Sequence, residues 1–562
     1  MKTLLKIFMI GCITASTFAQ TARVQVIHNS ADAAAAVVDV YVDAANTLND
    51  FAFRTASPFV DLPAGVQIEL SIAPGNSTSV GDALLTVPVT LTENETYIVV
   101  ADGIVSPTGY NPAPALGLQV YALGREAAND PANVDVLVHH GSTDAPTVDV
   151  VETGAGAGTI VDNIAYTEFQ GYLELASGDY AIEIRDETGA VTVAAYELPL
   201  QTLGLTGQAL VAVASGFLDP SMNSDGPAFG IWAALPAGGA LVELPASTAR
   251  VQVIHNSADA AAEEVDVYIA GALALDDFAF RTATGFIDFS AGVEVEIAVA
   301  PANSTGVGDA IATFPVTLTR NETYVVVADG IVSPTGYNPP QPFGLQVYGL
   351  GREEATSSSN TDVLVHHGST DAPTVDVVET GAGAGIIVNN ISYGEFQGYL
   401  ELPTADYVIQ INNEDNTVGV AAYSAPLATL SLDGEAIVVV ASGFLDPSMN
   451  SNGPSFGLWV ALAAGGPMVE LPTATLGVDD FDTTKFVMYP NPAVNEINIT
   501  IDIAGADDYS YMVTDMMGRR VFQNALGSTT NNIDVSQLAP GLYNVSVISG
   551  STIMATKKFI KE

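Results

Sequence analysis

The chain has 562 residues, 48% of them hydrophobic and only 14% charged, which is enough apolar material for several packed domains and rules out a disordered acidic chain. Its 64 acids against 16 bases give a net charge of −48. Residues 21–484 carry 57 of those acids and eight arginines, with no lysine between Lys6 and Lys485, so nucleic acid and anionic membrane surfaces are excluded as partners and solubility in salty water is favoured.

In chain order, Lys2 and Lys6 precede an apolar run from Ile7 and a small-x-small site at Thr17-Phe18-Ala19. This reads as a signal peptide over 1–19, cleaved after Ala19. Residues 9–12 (MIGC) offer the alternative of a lipoprotein box that acylates Cys12, with Met9 where leucine is usual. Cys12 is the single cysteine, so the mature chain has neither an internal disulfide nor a thiolate metal site. No other stretch runs to 18 apolar residues, so no transmembrane segment is expected.

The middle of the chain repeats itself. Residues 23–35 (RVQVIHNSADAAA) recur at 250–262, residues 135–158 at 362–385, and residues 214–224 (ASGFLDPSMNS) at 441–451, all at an offset of 227. Each block is itself a diverged pair: HNSAD at 28–32 matches HGSTD at 140–144, and Gly103 after YIVVAD matches Gly216 after LVAVAS. Four domains follow in the order A1 (20–127), B1 (132–246), A2 (247–353) and B2 (360–473), joined by polar linkers at 126–133, 246–249 and 353–361. Short runs rich in Val, Ile, Tyr and Thr, broken by Gly, Pro, Asn and Asp, predict strands at 24–28, 39–42, 66–72, 96–101 and 118–121. Alternation in 66–72 predicts one wet and one dry face. The fold class is therefore all-β: four tandem antiparallel β-sandwiches of immunoglobulin-like or transthyretin-like type, followed by a small C-terminal β-sandwich.

The opening pattern R-V-x-V-x-H-x-S-x-D followed by V-D-V-Y, fullest at 138–150 (VHHGSTDAPTVDV), resembles a bacterial extracellular domain family of unknown function. The resemblance covers roughly 23–472 and implies secreted β-sandwiches in tandem with no assigned activity. A repeats depart from the pattern at Ala33, where proline is usual, and by two extra residues before Asp39.

After the linker 474–484, lysine returns and the repeats stop. Residues 485–562 contain Tyr489-Pro490-Asn491-Pro492, then Met517-Gly518-Arg519, then 538–543 (LAPGLY) with Gly541 and Tyr543, and end on 557–562 (KKFIKE) with Lys557 and Lys558. This ordered set resembles the C-terminal sorting domain of the type IX secretion system. That implies the secretion machinery as partner, passage across the outer membrane, removal of the domain, and attachment to surface lipopolysaccharide.

All six histidines, His28, His139, His140, His255, His366 and His367, lie in the repeat openings. Val24, Val26 and His28 share a strand face, as do Val134, Val136, Val138 and His140, so the histidine ending each series faces the core with the valines. A buried histidine pinned by the turn aspartate, with Ser30 closing a local turn, is the structural reading; metal binding and catalysis are the alternatives. Residues 219–226 (DPSMNSDG) are rich in oxygen ligands, and calcium is the one cofactor they suggest, but the spacing matches no EF-hand and an Asx-turn loop is the plainer reading. No other cofactor is expected. Aligning 117–120 (GLQV) with 230–233 (GIWA) sets Trp232 opposite Gln119, and the second block sets Trp459 opposite Gln346. This predicts solvent-side tryptophans that form a binding surface with Tyr110 and Tyr337 of the SPTGYNP loops, for a neighbouring domain or a sugar. The expected function is a secreted, non-enzymatic cell-surface protein, an adhesin or surface-matrix component with polysaccharide as a further partner. A carbohydrate-binding accessory or an unrecognised secreted enzyme is the alternative.

Overall fold

A computed structural model describes residues 20–474 and 486–562, apart from 502–508, 516–518, 528–529 and 550–551. The signal segment with Cys12, most of the linker before the tail, and Met517 and Gly518 lie outside the described residues. No α-helix occurs among the described residues, only strands and single 3-10 turns, and no helix is long and apolar enough to cross a membrane.

Domain A1 contains β1 (Thr21–His28), β2 (Val37–Val42), β3 (Ala45–Ala52), β4 (Thr55–Ala56), β5 (Val60–Pro63), β6 (Gln67–Pro74), β7 (Leu85–Thr90), β8 (Thr96–Asp102) and β9 (Gly117–Ala122). Domain B1 contains β10 (Asn133–His140), β11 (Val148–Glu152), β12 (Gly158–Ile164), β13 (Phe169–Ala176), β14 (Asp179–Asp186), β15 (Thr192–Pro199), β16 (Ala209–Ser215), β17 (Gly230–Ala234), β18 (Gly239–Ala240) and β19 (Val242–Glu243). Each domain is a sandwich. In A1 the outer sheet runs β3-β2-β6-β7 and the inner sheet β18-β4-β1-β8-β9, with β5 also on β1; in B1 the outer sheet runs β12-β11-β14-β15 and the inner sheet β13-β10-β16-β17-β19. Pairing is antiparallel except that β1 runs parallel to β8, and β10 to β16. The first strand thus adds to the inner sheet beside the strand that ends in the Asp-Gly step of A repeats or the Ser-Gly step of B repeats.

That step has a steric cause. Gly103 (φ +98°) and Gly216 (φ +87°) lie in the left-handed region, and a side chain there would strike the carbonyl of Ala115 or Ala228. Each glycine lets the chain turn off the central strand and return beside it.

Between the sheets of A1 lie Val24, Val26, Leu62, Ile68, Leu70 and Val99, and between those of B1 lie Val136, Val150, Ile182, Ile184, Leu210 and Ile231. These are the alternate, dry-face positions. The other face of each inner sheet is not wet. Ile27, Phe59, Ile98 and Val100 of A1 pack directly against Leu137, Val211, Val213 and Leu241 of B1, forming a third core between the domains. This explains the unbroken apolar runs of β8 and β16, which are covered on both faces. One strand crosses between the domains: β18, counted with B1, hydrogen-bonds to β4 at the edge of the A1 sheet, and the amide of Leu241 donates to the carbonyl of Arg54. The linker is pinned as well, Arg23 pairing with Glu126 at 2.8 Å and Arg125 with Asp135 at 2.6 Å.

A2 and the inner sheet of B2 repeat this arrangement, with Gly466–Pro467 pairing onto Thr282–Ala283 and a shared core of Ile254, Val325, Val327, Leu364, Val438 and Val440. The second B2 sheet, Val375–Glu379 with Gly385–Ile391, Asp406–Asn413 and Gly419–Pro426, repeats the strand order of its B1 counterpart. The C-terminal domain has a three-stranded sheet (Phe486–Tyr489, Glu496–Ile501, Thr530–Asp534) and a four-stranded sheet (Arg520–Ala525, Tyr509–Asp515, Gly541–Ser549, Thr552–Lys561) around Phe486, Ile497, Ile499, Val513, Val545 and Phe559.

Candidate functional site at the paired-domain interface

The histidines occupy two different places. His28 and His140 face their own domain cores, as strand alternation requires, and are 1% and 2% exposed. The Nε2 of His28 sits 2.7 Å from the Ala35 carbonyl and that of His140 2.9 Å from the Pro146 carbonyl. The turn aspartate does not pin the histidine, contrary to expectation. Asp32 instead caps the 3-10 turn through the Ala34 amide and accepts from the Val105 and Ser106 amides and the Ser106 hydroxyl, while Ser30 donates across to the Gly103 carbonyl. The motif therefore ties the strand opening to the turn after β8. Burial drives His28 and His255 down to about 4, against the opposing pull of the carbonyls of Ala35 and Ala262. Burial pushes Asp32 upward, but its hydrogen bonds prevail and hold it below the ordinary carboxylate range.

His139, one residue before, points the opposite way, into the interface with A1. Its Nε2 lies 2.8 Å from Oδ2 of Asp102, its Nδ1 lies 3.1 Å from the Glu168 carbonyl, and both side chains are 0% exposed. Each ring nitrogen thus faces an oxygen acceptor. Phe169 covers the ring at 4.2 Å between centroids. The Tyr166 hydroxyl donates to the same carboxylate, and burial followed by the Asp102 charge raises that phenol well above its ordinary value. His366 and Asp329 reproduce the pair at 2.8 Å in the second block.

A1 reaches back with Arg54. Its guanidinium donates to the Ser215 hydroxyl at 3.0 Å and to the carbonyls of Ser215 and Ala228, and stacks 4.1 Å above Trp232. Burial lowers it, and lowers Arg281, its counterpart over Trp459, to about 10. Asn29 of A1 also crosses, donating to the Gly141 carbonyl.

The tryptophans are therefore not free solvent-side anchors. The alignment with Gln119 is right, since Val100 pairs with Gln119 as Val213 pairs with Trp232. The face pointing away from the domain's own core is covered by the other domain, which leaves both tryptophans half-buried under an arginine, with the indole N–H sealed and unbonded. Tyr110 and Tyr337 belong to the same contact: their rings lie 5.5 and 5.6 Å from Phe217 and Phe444 of the B domains.

The 219–226 loop is the surface on which the SPTGYNP loop docks. Ser224 donates to the Gly109 carbonyl, and the Asn111 amide donates to Asn223. Asp144 accepts from the amides of Leu218 and Asp219 and from Asn223, and Asp219 caps its own 3-10 turn. These carboxylates are occupied by backbone, as an Asx-turn loop requires. Every arginine between 20 and 474 is likewise committed: Arg23, Arg125, Arg185, Arg250, Arg320 and Arg352 to carboxylates, Arg54 and Arg281 to the interface.

In the C-terminal domain the sorting motifs converge. Asn491 donates from Nδ2 to the Lys558 carbonyl and accepts from the Ile560 amide, fastening the tetrapeptide 489–492 to the last strand. The peptide bonds before Pro490 and Pro492 are cis. Tyr489 is exposed, Tyr543 stacks on Phe559, Lys557 lies over Phe486, and Arg519 pairs with Asp515. Gly541 opens the strand that carries Tyr543.

Comparison with known families bears on both parts. The profile of a domain of unknown function, DUF4397, matches residues 22–125, 134–215, 249–340 and 361–449. The chain belongs to this family. A secretion system C-terminal sorting domain matches 487–562, which marks the chain for export by the type IX secretion system to the cell surface or beyond, and makes that machinery its partner. No curated protein matches. Among solved structures, PorZ, a surface component of the type IX system of Porphyromonas gingivalis, aligns at 11% identity over 90% of this chain and 69% of its own, with a TM-score of 0.14. Domains 4–9 of the surface layer protein SbsC align at 11% identity over 94% and 77%, with a TM-score of 0.12. At these scores neither alignment bears on fold or function.

Asp102, Arg54, Asn29 and Tyr166 were absent from the sequence-level candidates. The signal for them was present: β8 and β16 do not alternate, and a strand apolar on both faces needs a second cover.

Proposed function

We propose that the protein is a non-catalytic cell-surface component, an adhesin or matrix protein, in which the inner sheets of each A-B pair are joined. The observation that carries this reading is the sealing of the two histidine–carboxylate pairs. His139–Asp102 and His366–Asp329 have side chains without solvent access, so no substrate reaches the groups best suited to proton transfer. Their use is to join domains. Duplication of a whole paired unit favours presentation, because attachment strengthens with copy number. The implied route is export, removal of 485–562, and retention of the passenger on surface lipopolysaccharide. The test compares surface attachment of cells with and without the gene, alongside a panel of hydrolase substrates offered to the exported protein. Loss of attachment without any turnover supports the reading; turnover abolished by Asp102→Asn overturns it.

A further inference from the structure

The two blocks share the A-B interface, with Val325 and Met468 in place of Ile98 and Leu241, and differ in sequence at exposed positions beside it. In the second block a cleft of about 290 Å³ opens between A2 and B2, bordered by Asp259, Glu263, Phe280 and Tyr337 on one side and Ser451 and Asn452 on the other. Most of its polar groups are occupied: Asp259 by the 332–333 amides, Ser451 by the Gly336 carbonyl, and the Tyr337 hydroxyl by the Ala260 amide. Glu263 and Asn452 are exposed, and among the described residues their side chains have no partner. In the first block these positions are Ala36 and Asp225. The second block thus carries a carboxylate where the first has Ala36 and an amide where the first has Asp225, and Asp259 adds a second carboxylate to the cleft.

We propose that this cleft is a sugar-binding site that takes a single non-acidic pyranose, neutral or amino, at the end of a glycan. Phe280 and Tyr337 provide apolar carbon at one wall, and Glu263 and Asn452 provide planar acceptors and a donor for ring hydroxyls. No lysine or arginine borders it, and Asp259 and Glu263 repel acidic sugars. Its place at a domain junction is where small-ligand sites concentrate. The inference names the ligand class of the adhesive reading above and rests on it.

The test presents the exported full-length protein to an array of neutral, amino-bearing and sialylated glycans, then titrates the best ligand calorimetrically. Glu263→Ala and Asn452→Asp install residues that the fold already carries in the first block, so folding is preserved. Binding to a non-acidic glycan is expected, with Glu263→Ala weakening one site per chain about tenfold, the loss of one charge-assisted hydrogen bond. Absence of glycan binding, binding confined to sialylated glycans, or binding unchanged by Glu263→Ala overturns the site. Cell attachment measured on the same variants separates the claims: attachment that persists while the cleft fails removes the cleft alone, whereas wild-type protein that does not support attachment removes the adhesive reading.

Discussion

Replacing His139 with isoleucine, the residue that Ile27 supplies at the matching position of A1, should destabilise the A1-B1 pair more than its modest change in size implies. Both members of the His139–Asp102 pair are 0% exposed. Without the imidazole, Asp102 keeps only the Gln119 amide and the Tyr166 hydroxyl, each at a long 3.4 Å. Removing one partner of a buried pair costs roughly 3–5 kcal/mol, because the remaining carboxylate is stranded. Asp102→Ser, which installs the residue found at Ser215, leaves the imidazole still bonded to the Glu168 carbonyl and should cost about 1–3 kcal/mol. The double variant should cost less than the sum, with a coupling of about 2 kcal/mol. Urea unfolding of residues 20–247 measures all four proteins, with Trp232, at the interface itself, as the fluorescent reporter. A His139→Ile cost within about 0.5 kcal/mol of zero would refute the claim that this contact holds the domains together.

Stability should also fall on acidification. His28 and His255 titrate near 4 in the folded chain, whereas an unfolded histidine takes its proton near 6.5. The unfolded state binds more protons between those values, so stability is level above about pH 6.5, falls toward pH 4, and loses about 3 kcal/mol per histidine. Melting of residues 20–247 across that range, beside a His28→Leu variant with a shallower slope, checks the sign and the source. Arg54→Lys should weaken the pair by about 2 kcal/mol, since an ammonium cannot hold Ser215, Ala228 and the Trp232 ring together, and acrylamide quenching of Trp232 should rise. Deleting 485–562 should trap the passenger in the periplasm; normal surface yield on immunoblotting of fractionated cells would contradict the sorting assignment.

Much of the fold is legible in the residues. The 227-residue offset, the strand runs and the glycines after β8 and β16 follow from repetition, alternation and turn chemistry, and the place of His28 follows from its phase with Val24 and Val26. The pairing of domains is written in β8 and β16, whose runs are apolar on both faces, whereas β6 has one wet face. The tryptophans depart from expectation because the face they share with Gln119 is covered by the other domain. Trp232 is on the face assigned to it, but that face belongs to an interface. Asp102 and Arg54 were invisible for a different reason: each is an ordinary strand-end or turn residue in its own domain, and its meaning arises only when the other domain supplies His139 or Trp232. The cleft at Glu263 and Asn452 is of the same kind, since its walls come from segments almost 190 residues apart in the chain.

A1 and B1 form one folding unit. Ile27, Phe59, Ile98 and Val100 are 0–7% exposed in the pair and would all meet water in A1 alone. At about 1.5–3 kcal/mol each, that is roughly 6–12 kcal/mol, comparable with the whole stability of a typical domain at about 5–15 kcal/mol. A1 would also lose the β18 strand that closes its inner sheet. The direct measurement compares calorimetric melting of residues 20–127, 132–247 and 20–247. A single cooperative transition for 20–247, with the separate halves aggregating or binding a hydrophobic dye without a transition, is the predicted result. Two soluble halves that each melt cooperatively at the temperature of the pair would contradict it.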